Sequence, residues 1–148
     1  TIGFDGNGDA DGYRCIPLDD LELVLVAAAE HPLAAVPATP DMRSAHAELV
    51  VRDSSPRFRR KAKQSFIGSG NVVYLSDFHS KREGLLQGAG YGWIPRHFIH
   101  DDLKNGSLVQ LDADPSSWTY QPQAIVKEGA TIGRAGRIFL QTIGAEPE

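Results

Sequence analysis

Four clusters in this 148-residue chain hold residue types that could do chemistry, and each carries its own geometric demand. Asp5-Gly6-Asn7-Gly8-Asp9-Ala10-Asp11-Gly12 spaces its carboxylates as calcium loops do. An EF-hand loop needs glycine at its sixth place and a bidentate glutamate at its twelfth. Counted from Asp5, those places hold Ala10 and Ile16; counted from Asn7, Gly12 fits but the twelfth residue is Leu18. The segment reads as a solvated acidic turn. Gly88-x-Gly90-x-Gly92 has the glycine spacing of a phosphate loop, but a dinucleotide fingerprint follows a strand and opens a helix. Here the glycines close a helix and open a strand, so no helix N-terminus faces a phosphate. Ser76, Asp77 and His79 are the types of a nucleophilic triad. Triads draw their members from separate segments around an oxyanion hole, so these neighbours read as capping chemistry. His97 and His100 stand three apart, but no carboxylate–histidine grouping completes a metal site around them. The chain is assigned no catalytic residue, no metal and no cofactor.

Two helix starts are the stronger binding candidates. Ser54-Ser55-Pro56 supplies an N-cap and a proline at the first helical position, and Ser76-Asp77-Phe78 supplies a second cap. Each follows a predicted strand, so in a parallel sheet both lie at the carboxyl edge, where open α/β sheets bind ligands. Unpaired N–H groups at a helix start favour an anion. Asp77 opposes that, because its charge repels a carboxylate unless Arg or Lys pairs with it.

The elements that must position these groups follow from the hydrophobic pattern. Leu21 to Ala29 is a continuous apolar run of the kind found in a strand buried on both faces. Residues 35–47 predict a loop with a short helix near Pro40–Ala45. Glu48–Arg52 and Asn71–Leu75 predict strands, and a helix runs between them from Ser54 to about Phe66, broken by Gly68-Ser69-Gly70. The helix after Asp77 places Phe78, Leu85, Leu86 and Ala89 on one face. Gly88 and Gly90 are expected to supply positive φ at its end, before the strand Trp93-Ile94 closed by Pro95. A helical turn near Arg96–Leu103 and a strand Leu108–Leu111 come next. Tyr120–Lys127 predicts a strand, and 132–144 a final helix with Ile138, Phe139 and Ile143 turned inward. Alternating strands and helices predict an α/β fold with largely parallel pairing.

Hydrophobic content of 41% and charged content of 23% are those of an ordinary globular domain. No apolar run reaches the roughly 18 residues of a membrane span. A net charge of −4 excludes a domain built to hold a phosphate backbone. Arg57-Phe58-Arg59-Arg60-Lys61-Ala62-Lys63 does concentrate five cations, but on a helix they spread around the exposed circumference. The single Cys15 excludes an internal disulfide and suits a reducing compartment.

Glu30-His31-Pro32-Leu33-Ala34, the stretch Glu83-Gly84-Leu85-Leu86-Gln87-Gly88-Ala89-Gly90-Tyr91-Gly92-Trp93-Ile94-Pro95, and Asn105-Gly106-Ser107-Leu108-Val109 occur in an order and spacing that resemble the effector domain of LysR-type transcriptional regulators. The resemblance implies a type 2 periplasmic-binding-protein-like α/β fold, with one complete lobe and part of the other. On that template residues 1–23 are the tail of the first lobe, 24–118 the second lobe, and 119–148 the return to the first. Thr1-Ile2-Gly3-Phe4 reads as a strand entered with nothing before it, so a longer protein is expected, with its DNA-binding domain outside this chain.

The same resemblance implies a cytoplasmic, non-enzymatic sensor, free of membranes, that binds a small-molecule effector in the cleft between the lobes. It reaches DNA only through the missing domain. By position, Ser54, Ser55, Pro56 and Phe58 match one cleft wall, Ser76 to Ser80 (with Asp77, Phe78 and Ser80) another, and Gly6 a first-lobe wall. An extracytoplasmic solute-binding protein of the same fold is the alternative reading. An incomplete first lobe predicts exposed apolar surface from Ile125, Val126, Ile138 and Phe139, and hence a homo-oligomer.

Overall fold

The structure, a computed structural model, describes residues 2–3, 12–52, 70–127, 129 and 131–144. The chain divides into two compact units, one of residues 1–21 with 119–148 and the other of residues 22–118.

The larger unit is built on a mixed sheet. Its strands are β3 (Leu21–Ala28), β4 (Glu48–Val51), β5 (Val72–Leu75), β6 (Tyr91–Pro95) and β7 (Leu108–Gln110), in the order β5-β4-β6-β3-β7, with β8 (Ser117–Tyr120) pairing β3 off this path. The apolar run of β3 does what its pattern predicts. Val24 and Val26 turn to one core with Leu49, Leu85, Ile94, Ile99 and Leu108, and Leu25 and Ala27 turn to another with Leu33, Ala38, Tyr91 and Leu111. Alternate side chains leave a strand on opposite faces, so a strand covered on both sides must be apolar at every position. Each large side chain so buried is worth about 2 kcal/mol.

Strand direction departs from the expectation of largely parallel pairing. β4 is parallel to β5 and β6, but β3 is antiparallel to both β6 and β7. Burial on both faces gives the same run of residues whichever way a central strand points, so periodicity carries no direction. The parallel part is the part joined by a helix: α2 (Phe78–Leu86) carries the chain from β5 to β6.

The helix that follows β5 is capped as predicted and faces otherwise than predicted. Leu85 is buried and Leu86 half-buried, but Phe78 is exposed and Ala89 lies beyond the helix end. The inward place one turn before Leu85 goes to Lys81. Gly88 takes the left-handed cap, φ 71°. Gly90 does not have positive φ, contrary to expectation. Its role is close approach: a Cβ there would collide with the Ala47 carbonyl, and one at Gly92 would lie 2.6 Å from the Leu49 carbonyl and 2.9 Å from Lys81 Cε. The remaining small elements are a 3-10 turn at Pro32–Ala34 capped by His31, α1 (Pro40–Ser44) capped by Thr39, a second 3-10 turn at Arg96–Ile99, and α3 (His100–Asn105). The predicted helix 54–66 and the cationic run 57–63 lie outside the described residues.

The smaller unit holds the antiparallel sheet β1-β9-β2, from β1 (Ile2–Gly3), β2 (Tyr13–Pro17) and β9 (Gln123–Lys127). The predicted strand 120–127 is thus two strands, parted at Gln121-Pro122, where proline has no N–H for a ladder. Its core joins Ala124 and Leu140 with Ile16, Leu18, Val126, Ile132 and Ile143. Leu140 is the inward residue of α4 (Arg134–Thr142). Ile138 and Phe139, expected inward from the helix pattern and exposed from the incomplete lobe, are 51% and 52% exposed, while Ile125 and Val126 are half-buried. The acidic loop 4–11 lies outside the described residues.

Candidate functional site

At the carboxyl edge of β5 the chain passes through Ser76 into the N-cap of α2. Asp77 has extended backbone, φ −157° and ψ 170°, and its side chain takes up the donors around it. The Ser76 hydroxyl donates to Asp77 Oδ2 at 2.6 Å, the Ser80 hydroxyl donates to the same oxygen at 3.1 Å, and the Ser80 N–H donates to Oδ1 at 2.8 Å. The Ser76 hydrogen bond leads in holding the carboxyl down to about 2, followed by the backbone bond from Ser80. The group is a carboxylate at every physiological pH. The ion pairs among the described residues, Arg82–Glu83, Arg82–Asp102 and Arg96–Glu22, leave Asp77 without a cationic partner.

Since both serine hydroxyls spend their hydrogens on Asp77, what this surface offers outward is acceptor lone pairs and negative charge. Next to it, Phe78 and His79 lie against Phe98 of the second 3-10 turn, with ring centroids 6.2 Å and 4.9 Å away. His79 thus packs edge-on against a ring, and the Ser76 hydroxyl bonds to Asp77, which is capping rather than triad geometry.

Ser76, Asp77, Phe78 and Ser80 are therefore brought together on one exposed segment. Gly6, Ser54, Ser55, Pro56 and Phe58 lie outside the described residues. Two contributors to this edge escaped the sequence reading. Phe98 sits in a turn whose apolar spacing, with Ile99 buried and Phe98 half-buried, signals only packing. Arg52 follows β4, donates its N–H to the Leu75 carbonyl, and holds its guanidinium 5.5 Å from the Tyr74 ring centroid. Because β4 and β5 are parallel, Arg52 and Ser76 end on the same edge, a relation visible only once the pairing is known. No group of three or more His, Cys, Asp or Glu that could hold a metal occurs among the described residues.

The α/β units and their sheets define the fold class: type 2 periplasmic-binding-protein-like. Residues 2–147 match the LysR substrate binding domain, so the chain belongs to that family, the ligand-sensing part of LysR-type transcriptional regulators. The CcmR regulatory domain of Synechocystis PCC6803, solved in complex with 2-PG, is similar with a TM-score of 0.68 at 18% identity, over 97% of this chain and 71% of that one. The MetR regulatory domain of N. meningitidis is similar with a TM-score of 0.69 at 16% identity, over 96% and 66%. The uncharacterized HTH-type transcriptional regulator YeeY of Escherichia coli (strain K12) is 30% identical over 95 residues, 63% of this chain. This chain spans 30% of that relative's length. The family is one of regulators rather than an enzyme class. No helix among the described residues is long and apolar enough to cross a membrane.

Proposed function

We propose that this chain senses a small-molecule effector for a cytoplasmic, non-enzymatic LysR-type regulator that self-associates and reaches DNA through a domain outside this sequence. Residues 24–118 serve as its second lobe, and Ser76, Asp77, Phe78 and Ser80 form one wall of the effector site; Ser54, Ser55, Pro56, Phe58 and Gly6, assigned to the site by the family resemblance alone, lie outside the described residues. The family match supports this reading over a solute-binding protein. The observation that carries the site is the Asp77 cluster. A carboxylate fixed by three donors, unpaired by any described cation, meets an effector best through an N–H or O–H donor. It disfavours a carboxylate at that wall, while Arg52 on the neighbouring strand is the cation nearest in the pairing scheme to receive one.

The test is a thermal-shift screen of this chain against small uncharged alcohols and amides, amino acids and carboxylic acids. A ligand present at 100 times its Kd adds about 2.7 kcal/mol of stability. For a domain of this size that is roughly 5–10 °C. The reading requires that the shift come from a donor-bearing compound and collapse in Asp77→Ala. A shift that survives Asp77→Ala and Ser80→Ala undiminished rejects the site. Sequence-selective, salt-sensitive duplex binding by this chain alone rejects the division of labour.

A further inference from the structure

The far end of α2 opens onto a cavity of about 760 Å³ within the larger unit, in the size range of small-molecule sites. Three chain segments meet there: the end of β3 with the Glu30-His31-Pro32 turn, the end of α2 at Gln87-Gly88, and the end of α3 at Asn105-Gly106-Ser107. α2 is nine residues, about 13 Å long, so this cavity and the Asp77 cluster lie at opposite ends of one helix.

From this lining we infer a second binding site, for a small organic cation carrying an ammonium or guanidinium group. Among the described residues of the lining Glu30 is the charged one, and no described Lys or Arg lines the cavity. Two helices end on the cavity, and the C-terminal carbonyls of each present partial negative charge. Both turn away through left-handed glycines, Gly88 at φ 71° and Gly106 at φ 78°, each of which lines the cavity. The polar side chains around them are oriented. Asn105 Oδ1 accepts the Ser107 N–H at 2.9 Å, and the Ser107 hydroxyl donates back to the Asp102 carbonyl at 3.4 Å. His31 accepts the Leu33 N–H on Nδ1 at 3.2 Å. Burial, and then the His46 ring beside it, lower its affinity for a proton, so it adds no competing positive charge. The site therefore offers one carboxylate and the negative ends of two helices to a ligand of positive charge.

The experiment uses the ¹⁵N-labelled chain titrated with agmatine, which carries both a guanidinium and an ammonium, with sodium acetate as the anionic arm. Saturable amide shifts at Glu30, Gly88, Gly106 and Ser107, small at Ser76–Ser80 and absent with acetate, are the expected result. Glu30→Gln, at an exposed position that leaves folding intact, should raise Kd about three- to fivefold. Ala29→Tyr, which places a ring in the opening, should abolish the shifts. Any of three results overturns the inference: no saturation up to about 10 mM agmatine, shifts centred on Ser76–Ser80, or a Glu30→Gln affinity equal to that of the native chain.

Discussion

Lys81 offers the sharpest quantitative test of how this domain is assembled. It is 4% exposed, on the inner face of α2, with its stem lying against Gly92. Burial lowers its pKa from 10.5 to about 8, and buried Glu48 only partly opposes that. A lysine with a depressed folded-state pKa costs stability while it is charged. Between about pH 8 and pH 10.5 the unfolded chain holds a proton that the folded chain has released, so stability rises with pH through that window. One pKa unit is worth 1.36 kcal/mol, so the ammonium costs the fold about 3 kcal/mol at pH 7.

Lys81→Met keeps a flexible unbranched side chain and removes the charge. Urea unfolding at pH 7, 8, 9 and 10 should show the variant more stable by about 3 kcal/mol at pH 7, with the gap closing toward pH 10. Differencing the two proteins cancels the titrating groups that do not couple to Lys81. Glu48→Gln should move the onset of the native chain's rise to lower pH. A gap that stays constant from pH 7 to 10, or a methionine variant less stable at pH 7, refutes the account.

Three further outcomes follow from the same contacts. Asp77→Ala should lower Tm and Asp77→Asn should restore most of the loss, because asparagine still accepts the Ser80 N–H; with the folded-state pKa depressed, the native advantage over alanine should persist below pH 4 and vanish as pH falls through about 2 in a melting series. Arg82→Met leaves the Asp102 carboxylate, 6% exposed, without the guanidinium that grips both its oxygens at 2.6 and 2.7 Å; with Arg82 itself one-third exposed, chemical denaturation should record a loss of about 2 kcal/mol. Gly90→Ala drives a methyl into the Ala47 carbonyl, where no flexible side chain can yield, and should cost more than about 3 kcal/mol or prevent folding, as circular dichroism would show.

What the sequence discloses depends on whether a local pattern has one structural cause. The β3 run, the Asp77 cap and the glycine stop at Gly88 are local in that sense, and each was legible. Direction in the sheet was not, because a doubly covered strand reads alike in both senses. The inner face of α2 was misread for a different reason. Periodicity expects an apolar residue one turn before Leu85, and the chain puts a lysine there, so the apolar pattern alone leads through Phe78, which is exposed. The face of α4 was misread because Ile138-Phe139-Leu140 supplies three consecutive apolar residues, and only Leu140 turns to the core.

The same distinction governs the two proposed binding surfaces. Ser76, Asp77 and Ser80 could be found because capping leaves a signature within five residues, and the hydrogen bonds that cap the helix also fix the carboxylate. The cavity at the other end of α2 had no such signature. Glu30, Gln87 and Ser107 are far apart in sequence, and each of their segments drew notice only as a turn or a helix stop. Both ends of α2 are thus chemically biased, one by a capped N-terminus carrying a carboxylate and one by the negative end of the helix dipole beside Glu30. The macrodipole alone favours an anion at the first end and a cation at the second. Asp77 cancels the first preference and Glu30 reinforces the second. A cation titration that finds its ligand at Glu30 and not at Asp77 would therefore show that oriented carbonyls and an open cavity, rather than an exposed carboxylate by itself, make the site.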